Sequence, residues 1–340
     1  MKGAALLVAI GALSACATAH YDISSTDLPR ASGNAKNGYS VHWTLTSRKR
    51  HGAIEAVDLN LAGNVFVSYV SGLPSNVVGY VNVSSSSRDV VNAVSVAKHH
   101  PDEDDNENDI DDNLNVKIKH KLSVKLHNKV ESGDLLTEIV LGVPNAVAKF
   151  KSKRSAQVVV KDNVLMNHGK KAKQKVKAKG TSAVYVSGSA VTVHKLTLAT
   201  SGHARIEYNV DDVKVTKKLK LKAKKSSSIK LLSSSVKTKK LTLKAKSDES
   251  SICLSAKKVV ADKVKISGED RVSMPNSSES FGAKGTFVCK AVTLPSREHG
   301  QISASPADSE DDEDVLYSVD DLDSLVNGVN TTDATYATDA

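Results

Sequence analysis

From residue 182 onward the chain divides into consecutive units in which aliphatic residues return at fixed intervals. Val184, Ile206, Ile229 and Ile252 lie 22, 23 and 23 residues apart. Leu196, Leu219, Leu241 and Val264 lie 23, 22 and 23 apart, and Leu198, Leu221, Leu243 and Ile266 follow two places behind them. Val191, Val213 and Val236 form another column. Within a unit the apolar residues come as short alternating pairs, such as Ile206-x-Tyr208, Val213-x-Val215 and Leu219-x-Leu221. Alternation places both members of a pair on one side of a strand, whereas an amphipathic helix needs apolar residues at i, i+3, i+4 and i+7. Ser, Gly, Asn, Asp or Lys-Lys separates the pairs, so each unit predicts three very short strands with turns between. The fold expected is all-β: a parallel β-helix or β-solenoid-like stack of 22–23-residue coils, each strand pairing with its counterpart in the next coil.

Upstream, residues 54 to 96 carry further strand signals, and LNVKIKHKLSVKLH and LLTEIVLGVP follow an acidic stretch, DEDDNENDIDD, at 102–112. That stretch predicts a long loop between neighbouring strands, because dense like charge stays solvated. Residues 20–50 read as a polar leader with one edge strand around Val41 to Leu45. The solenoid domain is expected over 51–295, with the acidic insertion at 99–113, and the Ser- and Asp-rich segment 296–340 as a disordered acidic tail with a short helix at Val315 to Val326.

This layout resembles the auto-transporter adhesin head GIN domain family over roughly residues 50 to 295. The resemblance rests on the strand–turn–strand IEAVDLNLAGNVFVSYVSG, the strand pair VKIKHKLSVKLH and the strand Glu138-Ile139-Val140-Leu141-Gly142-Val143-Pro144. It also rests on the turns Ser187-Gly188-Ser189, Thr200-Ser201-Gly202 and Ser226-Ser227-Ser228. The chain departs from the family in its Lys richness, its acidic insertion and its use of Ser where Gly is usual. The resemblance implies a β-solenoid-like fold and a secreted or cell-surface, adhesin-like protein, and it supplies no catalytic residues.

Composition sharpens this picture. Hydrophobic residues make up 40% of the chain but aromatics only 4%, which predicts thin regular layers of aliphatic side chains. Residues 1–19 read as a signal peptide: Lys2, an apolar run from Gly3 to Ala12, then Ala17-Thr18-Ala19 before His20. The run is too short to span a bilayer, and no transmembrane segment is expected. Leu13-Ser14-Ala15-Cys16 also resembles a lipobox, in which Cys16 would be lipidated rather than removed. Sequons at Asn82, Asn276 and Asn330 mark glycosylation sites if the chain follows a eukaryotic secretory route. Cleavage after Ala19 leaves Cys253 and Cys289, an even count that favours a disulfide in an oxidising compartment. At an outward strand position, Cys253 would pin the segment around Cys289 over the end of the stack.

Charge carries the functional expectation. Residues 116 to 290 hold 38 Lys and Arg against 13 Asp and Glu, an excess of 25, offset by the acidic insertion and by DSEDDED in the tail. Lys214, Lys220, Lys237 and Lys265 occupy outward strand positions that the repeat would align into ladders, a candidate face for anionic polysaccharide or another anionic surface polymer. The acidic blocks would be able to fold back on it. The alternative reading is a solvated face that discourages edge-to-edge association, in a structural surface or wall component without a specific ligand. Nucleic acid is not expected as a partner, since interleaved aromatics are lacking. No metal site or cofactor is expected: His99-His100 and the acidic run offer no register with both the Gly and the Glu of an EF-hand loop. A β-helix carbohydrate-active enzyme is the third reading. It needs two carboxylates across a cleft, and the tight pair Asp211-Asp212 sits in a turn slot filled by Ser234-Ser235 in the next unit. No catalytic residue is therefore expected.

Overall fold

The computed structural model describes residues 21–28, 38–47, 52–99, 118, 120–127, 130–169, 171–277 and 279–302. Residues 1–19, expected as a signal peptide and including Cys16, the acidic run 102–112, the tail beyond 302 and Asn330 lie outside the described residues. In chain order the strands are β1 (Tyr21–Leu28), β2 (Tyr39–Ser47), β3 (Ala56–Leu61), β4 (Asn64–Tyr69), β5 (Val77–Ser85), β6 (Val94–His99), β7 (Lys121–Leu126), β8 (Gly133–Leu141) and β9 (Lys149–Arg154). There follow β10 (Gln157–Val160), β11 (Lys173–Ala178), β12 (Ala183–Thr200), β13 (Arg205–Ala223), β14 (Ser228–Ala245), β15 (Ser251–Ser267), β16 (Val272–Ser273) and β17 (Gly300–Ile302). One short helix, α1 (Arg88–Asn92), separates β5 from β6.

The architecture is a β-solenoid whose stacked coils lie about 23 residues apart. β12 to β15 each wind through three faces, and their parallel register joins the residues that the repeat aligns. Val184 pairs with Ile206, Ile206 with Ile229 and Ile229 with Ile252. Leu198, Leu221, Leu243 and Ile266 form another inner column. Inward members are fully buried in the middle coils, including Leu198, Leu221 and Leu243, and opposite residues project away from the core. Tyr208 projects inward among them, and its hydroxyl donates to Gln174 Oε1 at 2.9 Å, which pairs two polar groups inside a largely aliphatic core.

The corner just before β12, β14 and β15 repeats a local device. Ser182, Ser227 and Ser250 are buried there, and each hydroxyl donates to the carbonyl three residues back. The equivalent turns of two successive coils use a left-handed residue: Gly202 has φ +77°, and Lys225 occupies the same slot one coil later with φ +57°. At Gly202 a Cβ would lie 2.7 Å from the Gly180 carbonyl oxygen of the preceding coil, so the close stacking itself demands glycine.

Stack order departs from chain order in the first half. β3 pairs in parallel with both β7 and β9, and β4 with both β8 and β10. The coil formed first in sequence therefore lies between the β7–β8 coil and the β9–β10 coil. Arg154 fastens this arrangement by donating to the carbonyls of Leu126 and Val130 at 3.1 and 2.7 Å. Beyond β8 the sheet turns antiparallel through β5, β2 and β1, and β6 closes antiparallel on β7. β2 contains the expected Val41–Leu45 strand but is not an edge strand, because β1 pairs with it on one side and β5 on the other. β6 and β7 are the neighbouring strands that the acidic insertion joins.

Candidate functional site: a lysine face and a C-terminal strap

The first face consists of β7, β3, β9, β11 and the last parts of β12 to β15. Its outward positions carry the lysines. Lys173, Lys195, Lys218, Lys240 and Lys263 occupy one position in five successive coils. At the ~4.8 Å separation of neighbouring strands, they form an unbroken ladder about 19 Å long. The next row reads Lys149, Lys175, Thr197, Lys220, Thr242, Lys265, and the one after it Asp58, Lys151, Lys177, Ala199, Lys222, Lys244. Crowding has an electrostatic signature. Burial, followed by the neighbouring Lys151, pulls Lys153 below the ordinary lysine value. The imidazole of His194 is lowered by desolvation and by Lys217, Lys195 and Lys173. At the far edge Lys121 pairs with Asp58 at 3.1 Å.

The four lysines named from sequence fall on two faces. Lys214 and Lys237 are direct neighbours on the third face and both are exposed. Lys220 and Lys265 share a ladder on the first face, separated by Thr242. Lys265 is exposed, but Lys220 is only 5% exposed, where its outward strand position led us to expect contact with solvent. The five-lysine ladder is not evident in the sequence because a Lys-Lys pair has the character of a turn. The second lysine of Lys217-Lys218 and of Lys239-Lys240 in fact opens the first-face strand segment.

A second feature concerns the outward positions of the second face, where Glu138, Phe66, Val159, Tyr185, Glu207, Lys230, Cys253 and Ser273 stand in one ladder across eight strands. The C-terminal segment runs along this ladder as an extended strap. The Ser273 hydroxyl donates to the Phe287 carbonyl at 2.6 Å, and Cys289 forms the disulfide with Cys253 at a Cα separation of 5.6 Å. Lys230 Nζ donates to the Lys290 carbonyl at 2.8 Å. The amide of Val292 donates to the buried carboxylate of Glu207 at 3.2 Å, and Glu207 also faces Lys230 at 3.9 Å. Val292 packs on the small apolar cluster of Phe66, Val159, Ala183 and Tyr185. Further along, Arg297 lies over the Phe66 ring and pairs with Glu138, and Asn64 donates to the Glu298 carbonyl at 3.0 Å. β17 then pairs antiparallel with β8.

Seven strand spacings of ~4.8 Å make about 34 Å, the reach of ten extended residues at ~3.4 Å each. The interval from Phe287 to Arg297 therefore matches the ladder it covers. The bond at Cys253 holds a strap that runs back along the stack, not a segment folded over its end as its position suggested. Ordered contacts continue past residue 295, the boundary expected from composition, to Ile302.

Near the strap's end, Ser84 Oγ lies 2.9 Å from His299 Nε2, and His299 Nδ1 lies 3.1 Å from Asp134 Oδ2. Burial acts to raise the Asp134 pKa, but hydrogen bonds from Ser86 and Ser85 and the adjacent His299 outweigh it and hold the carboxyl below its ordinary value. These residues are 50 and 165 positions apart, and no local motif announces them. Asp211 and Asp212 are exposed, and Asp212 pairs with Ser235 as the repeat aligns them, but both lie within β13 and not in a turn. Of the sequons, Asn276 lies on an exposed turn with its amide donating to Ser255 Oγ at 2.7 Å, whereas Asn82 is half-buried in β5 and bonded to His42. Among the described residues no group of three His, Cys, Asp or Glu side chains comes together as a metal site, and no helix is long and apolar enough to cross a membrane.

No family model matches this chain, so the likeness to the head GIN domain is not established, and no curated protein matches it. Among solved structures it is similar to a proposed adhesin from Bacteroides fragilis NCTC 9343, at 13% identity and a TM-score of 0.33, covering 68% of this chain and 95% of that one. It is also similar to a proposed cell adhesion protein from Clostridium sporogenes ATCC 15579, at 9% identity and a TM-score of 0.23, covering 73% of this chain and 99% of that one. Likeness at this level carries no argument about function.

Proposed function

We propose that this is an exported surface-binding protein that engages anionic polymers through the lysine face. The observation that supports it is the ladder Lys173–Lys195–Lys218–Lys240–Lys263, in which the solenoid repeats one positive charge per coil. A rigid array of this kind matches a polymer that carries anionic groups at short regular intervals, such as an acidic polysaccharide, and keeps its charges apart without a conformational cost on binding. In this reading the signal segment delivers the chain outside the cell, the disulfide forms there, and Asn276 is the sequon best placed to carry a glycan.

The test is binding of the purified mature protein to a panel of anionic and neutral polysaccharides at low and moderate salt. Binding confined to the anionic members and lost steeply with salt is expected, because exposed charge pairs are screened over a Debye length of about 8–10 Å. Failure to bind any of them would favour the alternative of a structural surface component.

A further inference from the structure

Three residues that play no part in the lysine face form a relay with the polarity needed to activate a hydroxyl. Ser84 ends a run of outward side chains on β5, Asp134 stands on β8, and His299 comes from the strap. Asp134 is fixed from one side: its Oδ1 accepts from Ser85 Oγ, Ser86 Oγ and the Ser86 amide at 2.9, 2.7 and 2.8 Å. Its Oδ2 is left for the imidazole. A carboxylate can only accept, so His299 Nδ1 carries the proton and, in the neutral ring, Nε2 is the lone-pair nitrogen facing Ser84. The backbone on either side of His299 is held, because Asn64 binds the preceding carbonyl and β17 begins at the following residue.

We propose that Ser84 is the nucleophile of an ester-hydrolysing centre, with His299 as its general base and Asp134 as the positioning residue. Ser84 Oγ attacks the ester carbonyl while its proton passes to His299 Nε2. The tetrahedral intermediate collapses as the alcohol leaves with that proton, giving an acyl-serine. Water, deprotonated by the same nitrogen, then attacks the acyl-serine and releases the carboxylic acid, and the proton returns to Ser84. Across the strand pair Ser84 faces Ser40, with Asn82 two residues along the same face. His42 occupies Asn82 Oδ1, so the Asn82 amide nitrogen is the donor on hand for the developing oxyanion. Ser84 stands half-exposed on the outer side of the β2–β5–β8 sheet. An open sheet face suits a short acyl group whose alcohol half is bulky and stays in solvent, such as an O-acyl ester on a polymer. The centre is independent of the lysine face.

The full mature chain would be treated with a fluorophosphonate probe and assayed with p-nitrophenyl acetate. We expect covalent labelling mapped to Ser84 by mass spectrometry, absent in Ser84→Ala. Hydrolysis should fall by about 10²–10⁴-fold in His299→Ala, the range for a general base. Asp134→Asn should lower the rate and alter its pH profile without abolishing labelling, which a merely structural role would not do. The wild-type protein decides the matter even if a variant fails to fold. No labelling of the wild type, or labelling that persists in Ser84→Ala, would overturn the assignment and leave the three groups as a clamp on the strap.

Discussion

Neutralising two rungs of the lysine ladder separates binding from stability in a way that no other surface change should. Neighbouring rungs are one strand apart, and two unit charges at ~4.8 Å in water repel by about 0.9 kcal/mol, within the screening length at 0.1 M salt. The ammonium groups can splay, so this is an upper figure, but it has a definite sign. Lys240 and Lys263 are both exposed and adjacent on the ladder. Replacing both with Ala should remove about 0.5–1 kcal/mol of attraction to a polyanion per site at low salt, an overall weakening of roughly 5–30-fold. The same change relieves repulsion, so the melting temperature should stay level or rise slightly. Titration of an acidic polysaccharide by calorimetry at two salt concentrations, beside thermal unfolding, reads both quantities. The control changes Lys284 and Lys290 to Ala, two exposed lysines off the ladder with the same loss of net charge. If the control weakens binding as much as the ladder pair, net charge and not the array is responsible, and the reasoning fails.

Three further outcomes follow from the corners and the strap. Gly202→Val places a β-branched residue at φ +77° with its Cβ 2.7 Å from a backbone oxygen. It should cost about 3 kcal/mol in urea unfolding, whereas Lys225→Gly in the equivalent slot should gain up to about 1 kcal/mol. Joint replacement of Cys253 and Cys289 by Ala opens a loop between residues 36 apart, which the chain-entropy model values at up to about 4 kcal/mol. Limited proteolysis should then cut first near residues 286–292, and unchanged cleavage kinetics would contradict the strap's dependence on the bond. The folded Asp134 carboxyl is held below its ordinary value, so its contribution is present above the unfolded pKa and lost as pH falls through the folded one. Protection of the β17 amides, corrected for the intrinsic exchange rate at each pH, should therefore fall on acidification below about pH 4, and Asp134→Asn should flatten that response.

The second half of the fold was legible because its repeat is written in aliphatic residues. Val184–Ile206–Ile229–Ile252 is a column in sequence and a ladder in space, since a parallel stack converts a constant interval directly into contact. The first half was legible as strands but not as an order. Nothing local in IEAVDLNL distinguishes a terminal coil from one with neighbours on both sides, and the insertion of β3 between β7 and β9 is a non-local choice. The strap was invisible for a different reason. Residues 286–299 carry no alternation because they lie on the stack through scattered contacts, so their signal is complementarity to Glu207, Lys230 and Glu138, which is not periodic in their own sequence. The cysteine pair was legible from count alone, but its direction along the stack was not.

The two ends of the solenoid solve the problem of an open sheet edge by different means. At one end the chain adds the antiparallel strands β5, β2 and β1 and closes β6 on β7, so the last parallel coil never faces solvent with its ladder exposed. At the other end, among the described residues, β16 covers only the second face, and residues 258–267 of β15 pair with β14 alone. Burial records the difference. Leu241 and Leu243 are fully buried, but Val264 and Ile266, the next members of their columns, are only half-buried, and Val260 is 38% exposed. An edge of this length and hydrophobicity invites pairing with another chain. The same segment carries Lys257, Lys258, Lys263 and Lys265, all exposed, so that a second copy approaching in either direction meets like charge. The role proposed for the lysines at this end is therefore double: Lys263 completes the ladder proposed to hold an anionic polymer, and with its neighbours it sets like charge against a second copy at the strand edge.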